Sequence, residues 1–134
     1  MALELAFRNK VRMGDVGGVK GMLKAGEVDF TAPGDTLRKW TPLHIACWGT
    51  MKPQNDKDIV EAILMSAMKH GNEQPLRDAA DAVEGLKAVD LAKERRDQIS
   101  APGSALSEAD QLDEKRKYDK IIEWLEKGMP APGA

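Results

Sequence analysis

Hydrophobic positions recur at intervals of three and four residues along almost the whole chain, which is the spacing of one face of an α-helix. The clearest faces lie in residues 16–23, 59–67 and 112–125. Each is followed shortly by a glycine, the residue that most often ends a helix. No stretch alternates strictly between hydrophobic and polar residues, as a half-buried strand would. The pattern therefore predicts an all-α fold.

Polar residues and helix-breaking clusters indicate where these helices begin and end. Asp56 or Asp58 is positioned to cap the helix that follows it, and Ser107, with Asp110 behind it, resembles a weak capping box. The last helix is expected to run for about 20 residues, with its charged first half exposed to solvent. Clusters of Gly, Pro, Asn and Ser predict breaks at residues 31–35, 52–56, 72–75 and 99–104.

An internal repeat organises the chain. The segments VKGMLKAG (19–26) and IIEWLEKG (121–128) share a β-branched residue, a Leu and a Gly at matching positions, and VEAILMSA (60–67) keeps the Val and the Leu. The shorter apolar turns LELA, LHIA and VDLA precede them. Because one helix pair cannot bury its own apolar face, about three stacked pairs are needed for a continuous core. The repeat predicts a single domain, residues 1–129, followed by a frayed tail at residues 130–134.

The segment TPLHIA matches the T-P-L-H-x-A signature of the ankyrin repeat, and the chain resembles a small stand-alone ankyrin-repeat protein. The signature residues are Thr41, Pro42, Leu43, His44 and Ala46, and Asp90 takes the place of the histidine in VDLA. The resemblance implies helix–turn–helix units stacked into a solenoid, with degenerate repeats at about residues 2–30, 38–72 and 84–128. It also implies that Thr41 and His44 form a structural hydrogen-bonded pair at a helix start, where Asp90 would act as an acceptor.

His44 and Cys47 are the residues of this stretch that suggest a chemical role. A structural zinc site needs four ligands and a catalytic one usually three protein ligands, yet the only other histidine is His70 and there is no second cysteine. Nothing supplies an orienting third group for a thiol–imidazole pair. We therefore predict no catalytic, cofactor or metal site, with Cys47 acting as a small buried hydrophobe. The less favoured alternative is an enzyme or metalloprotein that uses His44, Cys47 and His70.

Composition narrows the range of partners. The chain has 20 basic and 22 acidic residues and a net charge of −2, so it has no basic surplus for nucleic acid or an anionic membrane. One cysteine cannot form an internal disulfide, and the N-terminal residues lack the apolar run of a signal peptide. Apolar stretches are far shorter than the roughly 20 residues that span a bilayer. We expect a cytoplasmic protein that binds other proteins, without nucleic-acid binding or membrane insertion.

The connections inside the helix pairs are longer than the ankyrin resemblance implies, by about four, five and twenty residues. Loops at equivalent points of a solenoid are often its binding face, which places partner contacts in residues 10–14, 50–56 and 96–107. The candidate contacts are Trp48, Lys52, Gln54, Asn55, Arg95 and Arg96. The alternative is that these segments are tolerated surface loops, because long insertions cost little free energy.

These features predict a non-catalytic protein–protein interaction module that forms an accessory subunit of a larger intracellular assembly, such as a ciliary or axonemal complex. The alternative is a soluble regulator similar to the myotrophin-type ankyrin proteins, which sequester a cytoskeletal or signalling partner. Trp48 is the candidate anchor if it is exposed, because aromatic residues are enriched at binding hot spots. Trp40 is expected to pack rather than to bind a ligand.

Overall fold

The structure is a computed structural model that describes residues 2–31, 34, 39–99 and 107–128. Within these ranges it is all-helical, with seven α-helices, one short 3₁₀ turn and no strand, so the all-α prediction is confirmed. The helices are α1 (Ala2–Met13), α2 (Val16–Ala25), α3 (Pro42–Trp48), α4 (Asp56–Lys69), α5 (Glu73–Asp78), α6 (Ala88–Ile99) and α7 (Glu108–Lys127). No helix in the described part of the chain is long and apolar enough to cross a membrane.

The long helices pack in pairs, and each pair packs against the next. Within the pairs, α1 contacts α2, α3 contacts α4, and α6 contacts α7. The first helices touch in the order α1, α3, α6, and the second helices touch in the order α2, α4, α7. One hydrophobic core runs through all three pairs, and its most deeply buried members include Phe7, Leu43, Ile63, Leu91 and Ile121. The central helix α4 therefore contributes to the packing of both ends.

Several helices end where the sequence predicts. Gly26 ends α2 in the left-handed conformation, with φ +72°, which favours glycine. Ser107 caps α7, and its hydroxyl accepts a hydrogen bond from the Asp110 amide. The helix α7 is 20 residues long, and none of the residues in its first half is buried. These ends are determined by short-range contacts, which is why the sequence alone predicts them.

The start of α4 and residues 72–75 depart from expectation. The residue before α4 is Asn55, which makes no side-chain cap bond, so the predicted cap at Asp56 or Asp58 is wrong. Asp56 is instead buried and accepts hydrogen bonds from other parts of the chain. The break predicted at residues 72–75 falls instead at residues 70–72, between α4 and α5. Pro75 lies in the first turn of α5, where a missing N–H costs no helical hydrogen bond.

The first helix pair has no lengthened loop. Helix α1 continues to Met13, and only Gly14 and Asp15 separate it from α2, so the loop predicted at residues 10–14 is wrong. Gly14 has φ +76°, and a Cβ atom on it would lie 2.7 Å from the Cβ of Lys52. A glycine is therefore required to bring the short turn against the connection of the second pair.

The other two connections differ from each other. In the second pair, residues 49–55 join the helices and include the 3₁₀ turn, so a longer connection is confirmed there. In the third pair, much of the extra length is helix, because α6 extends to Ile99 and α7 begins at Glu108. Outside the described residues lie positions 100–106, the tail at 130–134 and most of the break predicted at 31–35.

Candidate functional site

The start of α3 is built around Thr41 and His44. The Thr41 hydroxyl accepts a hydrogen bond from the His44 amide at 3.3 Å, and the Thr41 amide donates to His44 Nδ1 at 3.2 Å, which together form a capping box. Pro42 occupies the first helical turn, and Leu43 and Ala46 are buried beside it. The hydrogen-bonded pair implied by the ankyrin resemblance is therefore present.

Asp90 plays the corresponding part at the start of α6. Its carboxylate accepts a hydrogen bond from the Lys87 amide at 2.9 Å, and its own amide donates to the Lys87 carbonyl oxygen at 3.0 Å. The predicted role of Asp90 as an acceptor at a helix start is confirmed. The helices α3 and α6, which border the candidate site, therefore each begin at a side-chain hydrogen bond to a backbone amide.

The imidazole of His44 also joins α3 to the turn before α6. Because Nδ1 accepts from the Thr41 amide, the ring proton is on Nε2, which donates to the Leu86 carbonyl oxygen at 2.9 Å. Burial lowers the pKa of His44, against the opposing effects of the Leu86 hydrogen bond and the Asp81 carboxylate. The ring is therefore neutral at neutral pH, and both of its nitrogens are used within the fold.

Asp81 organises the turn that receives His44. One carboxylate oxygen accepts from the three amides of residues 83–85 at 3.1, 2.8 and 3.0 Å, and the other accepts from the indole N–H of Trp40 at 3.2 Å. The Asp81 amide donates to the Leu86 carbonyl oxygen at 2.8 Å. The hydrogen bond from the Glu84 amide, supported by that from Trp40, lowers the pKa of Asp81 to about 2. The turn is thus fixed to the base of α3 at two points.

An aromatic groove of about 300 Å³ adjoins this turn. The rings of Trp40 and Trp48 meet with centroids 5.8 Å apart and a tilt of 56°, and Trp40 also stacks on His44 at 6.3 Å. Trp40 is half-buried, whereas Trp48 is 39% exposed. The described residues that line the groove are Trp40, Trp48, Glu84, Leu86, Leu91 and Glu94.

Among the predicted partner contacts, Trp48, Lys52 and Gln54 are exposed. Asn55 is half-buried, and its side-chain amide donates to the Gly14 carbonyl oxygen at 2.9 Å, which joins the first two connections. Only Trp48 of these residues lines the aromatic groove. The groove therefore involves α3 and α6 rather than residues 50–56, where the sequence placed the second contact segment.

Arg95 and Arg96 are half-buried on α6, and both side chains contact other parts of the chain. The side chain of Arg95 lies against Gly49, because a Cβ atom added there would come within 3.1 Å of the Arg95 Nε. Arg96 forms an ion pair with Asp119 of α7 at 3.0 Å. Both arginines thus connect α6 to neighbouring elements, and their role in partner binding stays a prediction.

A cluster of buried polar groups surrounds the start of α4. Asp56 accepts hydrogen bonds from the amide of Thr50 at 3.0 Å, from the Thr50 hydroxyl and from the hydroxyl of Tyr118. Burial raises the pKa of Asp56, and it also raises the pKa values of Tyr118 and Cys47. The Cys47 thiol is fully buried and stays protonated, which is the opposite of what a reactive thiolate requires.

The residues of the alternative metal or thiol–imidazole site have other contacts. Within the described ranges, no group of three or more His, Cys, Asp or Glu residues is arranged to hold a metal ion. His70 is exposed at the end of α4, with Nδ1 2.8 Å from the Ser66 carbonyl oxygen and its ring edge-on to Phe30. The structure does not assemble His44, Cys47 and His70 as a ligand set.

Larger grooves also lie elsewhere on the part of the surface that the structure describes. One of about 560 Å³ lies between α2 and α4 and is lined by flexible side chains such as Met65 and Lys69. The other, of about 520 Å³, lies along α1 and includes Met13 and Lys52. Neither contains a tryptophan among its described lining residues. The aromatic groove is therefore the better candidate for a specific contact.

Sequence reasoning identified Trp48 but missed the residues opposite it. Leu91 and Glu94 lie one turn apart on α6, so their common face was visible from their spacing. No sequence pattern indicated that this face meets Trp48, because the meeting depends on how α3 packs against α6. Comparisons of the chain with known protein families, curated proteins and solved structures found no match.

Proposed function

We propose that the chain is a non-catalytic protein–protein interaction module of the ankyrin-repeat kind, which binds its partner through the aromatic groove. The observation that carries the proposal is the exposed indole of Trp48, packed against Trp40 beside the hydrogen-bonded turn at Asp81. Tryptophan is among the residues most enriched at binding hot spots. An aromatic side chain held in place before binding loses little conformational freedom on association.

The ankyrin-type part of the proposal is supported by two observations. The helices contact one another in the order expected for three stacked pairs, with first helices on first helices and second helices on second helices. The His44 side chain donates to Leu86, so the signature motif of the second pair is bonded to the turn that leads into the third. A bond of this kind links consecutive units of an array.

The non-catalytic part is supported by the environment of the reactive residue types. The single thiol, at Cys47, is fully buried and protonated. The imidazole of His44 has both nitrogens engaged in structural hydrogen bonds. These groups serve packing and helix capping rather than nucleophilic or metal chemistry.

The accessory-subunit role is favoured by the exposed apolar residues at the first pair. The terminal units of a helical array usually present a polar outer face. Helix α1 instead exposes Leu5 and Met13 by more than half, and Met51 beside it is still more exposed. An array with such an end fits a permanent place in a larger intracellular assembly better than it fits a free regulator.

Site-specific photo-crosslinking tests the proposal. A benzophenone amino acid is placed at position 83, because Val83 is an exposed apolar residue of the turn beside the groove and its replacement keeps Trp48. The control is position 112, since Leu112 is also an exposed apolar residue but lies on α7. We expect a discrete crosslinked protein from position 83 that is absent from position 112. In the same extract fractionated by size, a permanent subunit elutes only with this protein.

A matched pair of substitutions completes the test. Trp48→Ala should reduce recovery of the crosslink partner at least about tenfold, the effect of a hot-spot residue, whereas Leu112→Ala should leave it unchanged. Far-UV circular dichroism confirms that both variants are folded. Equal crosslinking from both positions, or none from position 83, would refute the proposed site.

A further inference from the structure

The aromatic groove has the chemistry of a site for one cationic side chain. We propose that the aromatic groove binds an arginine of the partner protein, with the guanidinium between the Trp48 ring and the Glu94 carboxylate. This inference rests on the proposed function. The aliphatic stem of the arginine would lie along the half-buried Leu86. The partner segment is accordingly basic at the point of contact.

Glu94 supplies the negative charge. It is exposed on α6, and its side chain forms no hydrogen bond or ion pair with any other described residue. Two neighbouring cations on α6 form ion pairs elsewhere, since Lys93 pairs with Glu126 at 3.1 Å and Arg96 pairs with Asp119 at 3.0 Å. The third, Arg95, lies against Gly49. The carboxylate at the groove is therefore available to a cation from outside the chain.

The charge of the groove argues against a purely apolar occupant. Among the described residues that line it, Glu84 and Glu94 are carboxylates and none is a cation. Covering a carboxylate with apolar groups has a desolvation cost that a hydrogen-bonded cation offsets. A partner that covers this groove must therefore present a positive charge opposite Glu94.

The aromatic lining determines which cation fits best. A guanidinium stacks on the face of an indole and donates several hydrogen bonds in one plane, so it can contact Trp48 and a carboxylate at the same time. Long cationic side chains also bury their methylene groups against apolar surface. Leu86 provides that surface. The groove volume of about 300 Å³ lies at the lower end of ligand-pocket volumes, which suits one side chain.

The test uses a peptide pair that differs only in charge. The probes are Ac-Ala-Ala-Arg-Ala-Ala-NH₂ and the same peptide with citrulline, which keeps the shape of arginine without its charge. The readout is the indole N–H signal of Trp48 in two-dimensional NMR spectra of the intact chain, assigned with Trp48→Phe. We expect a saturable shift with the arginine peptide and at least about threefold weaker binding of the citrulline peptide.

Two variants separate the contributions of charge and ring. Glu94→Gln should weaken binding of the arginine peptide about threefold, the size of an exposed ion pair, whereas Glu61→Gln, at an exposed glutamate on α4, should leave it unchanged. Trp48→Leu keeps an apolar contact but removes the cation–π interaction, so it should weaken binding by a similar factor. For this variant the readout is the indole N–H signal of Trp40, which lines the same groove.

The outcomes distinguish this inference from the proposed function. Equal binding of the two peptides, or an affinity that Glu94→Gln leaves unchanged, overturns the arginine site. If position 83 nevertheless crosslinks to a protein, the interaction site stands and only its chemistry is wrong. If position 83 crosslinks to no protein, the interaction site itself is wrong.

Discussion

His44 makes the clearest contribution of a single residue. Its amide, its Nδ1 and its Nε2 each form a hydrogen bond, to Thr41 on one side and to Leu86 on the other. The side chain is fully buried, and this burial lowers its pKa. A protonated ring could no longer accept the Thr41 amide at Nδ1, so the folded state requires the neutral form.

This requirement predicts a pH dependence of stability. In the unfolded chain the His44 imidazole takes up a proton near its ordinary pKa of about 6.5, whereas in the folded chain it does so only at lower pH. The unfolded state therefore binds more protons in the window below about pH 6.5, and the free energy of unfolding falls as the pH is lowered. The decrease should approach at most about 1.4 kcal/mol per pH unit.

Urea unfolding between pH 7.5 and pH 5 measures the effect. His44→Gln should abolish the part of the decrease in the free energy of unfolding that His44 causes. The substitution itself can lower the free energy of unfolding by an amount that does not change with pH. His70→Gln, at the exposed histidine, should retain it. Identical slopes for the wild-type chain and His44→Gln would contradict the assignment of the buried neutral ring.

At the scale of elements, the helices are joined by a few buried polar contacts in addition to the core. The Asp56 cluster connects the start of α4, the connection at Thr50 and Tyr118 of α7. Tyr118 is almost fully buried. Its hydroxyl donates to Asp56, which is also buried. Removing this hydroxyl would leave a buried carboxylate oxygen without a hydrogen-bond donor.

Tyr118→Phe removes one hydrogen bond to the buried Asp56 carboxylate. We expect the free energy of unfolding to fall by about 1–3 kcal/mol, because the carboxylate then loses a donor that water cannot replace. Chemical denaturation measures the change. A double-mutant cycle with Asp56→Ala should show coupling of more than about 0.5 kcal/mol, as expected for residues in contact.

The control cycle combines Tyr118→Phe with Lys93→Ala, an exposed residue of α6. These effects should add, since the two residues share no hydrogen bond. Additive behaviour of Tyr118 and Asp56 would show that the hydrogen bond does not join α7 to α4.

At the scale of the whole molecule, α4 is the helix that connects the two ends. It contacts α2 of the first pair, α3 of its own pair and α7 of the third pair. Its residue Ile63 is fully buried in the common core. Because the core is continuous, we expect loss of packing in α4 to weaken the whole array rather than one pair.

The buried thiol of Cys47 provides a reporter for this cooperativity. Ile63→Ala should lower the free energy of unfolding by about 2–5 kcal/mol through the cavity it leaves. If Cys47 becomes accessible only on unfolding, its alkylation by iodoacetamide should accelerate at least about tenfold in this variant. Mass spectrometry of the labelled chain gives the rate.

The matched control is Glu61→Gln on the exposed face of the same helix, which should change neither stability nor labelling. Rapid alkylation of the wild-type chain would contradict the tight burial of Cys47. Equal alkylation rates in the wild-type chain and in Ile63→Ala would show that Cys47 becomes accessible through a local opening that does not involve α4.

Features that depend on neighbouring residues were predictable from the sequence. The apolar spacing indicated the helices, and Gly26 and Ser107 marked helix ends. The Thr41–His44 pair caps α3 as the ankyrin resemblance implied. In each case the interacting groups lie within one or two turns of each other. Their geometry is set by the backbone of a single helix.

Features that depend on distant residues were decided by the tertiary structure. Asp56 lies beside a helix start and was predicted to cap it, yet it binds Tyr118, 62 residues away. Trp48 was recognisable as a candidate anchor, but Leu91 and Glu94 became its neighbours only because α3 packs on α6. The sequence by itself therefore determined an all-α chain and its local caps. Only packing between helices decided which exposed and buried groups meet, because those contacts depend on the relative placement of whole elements.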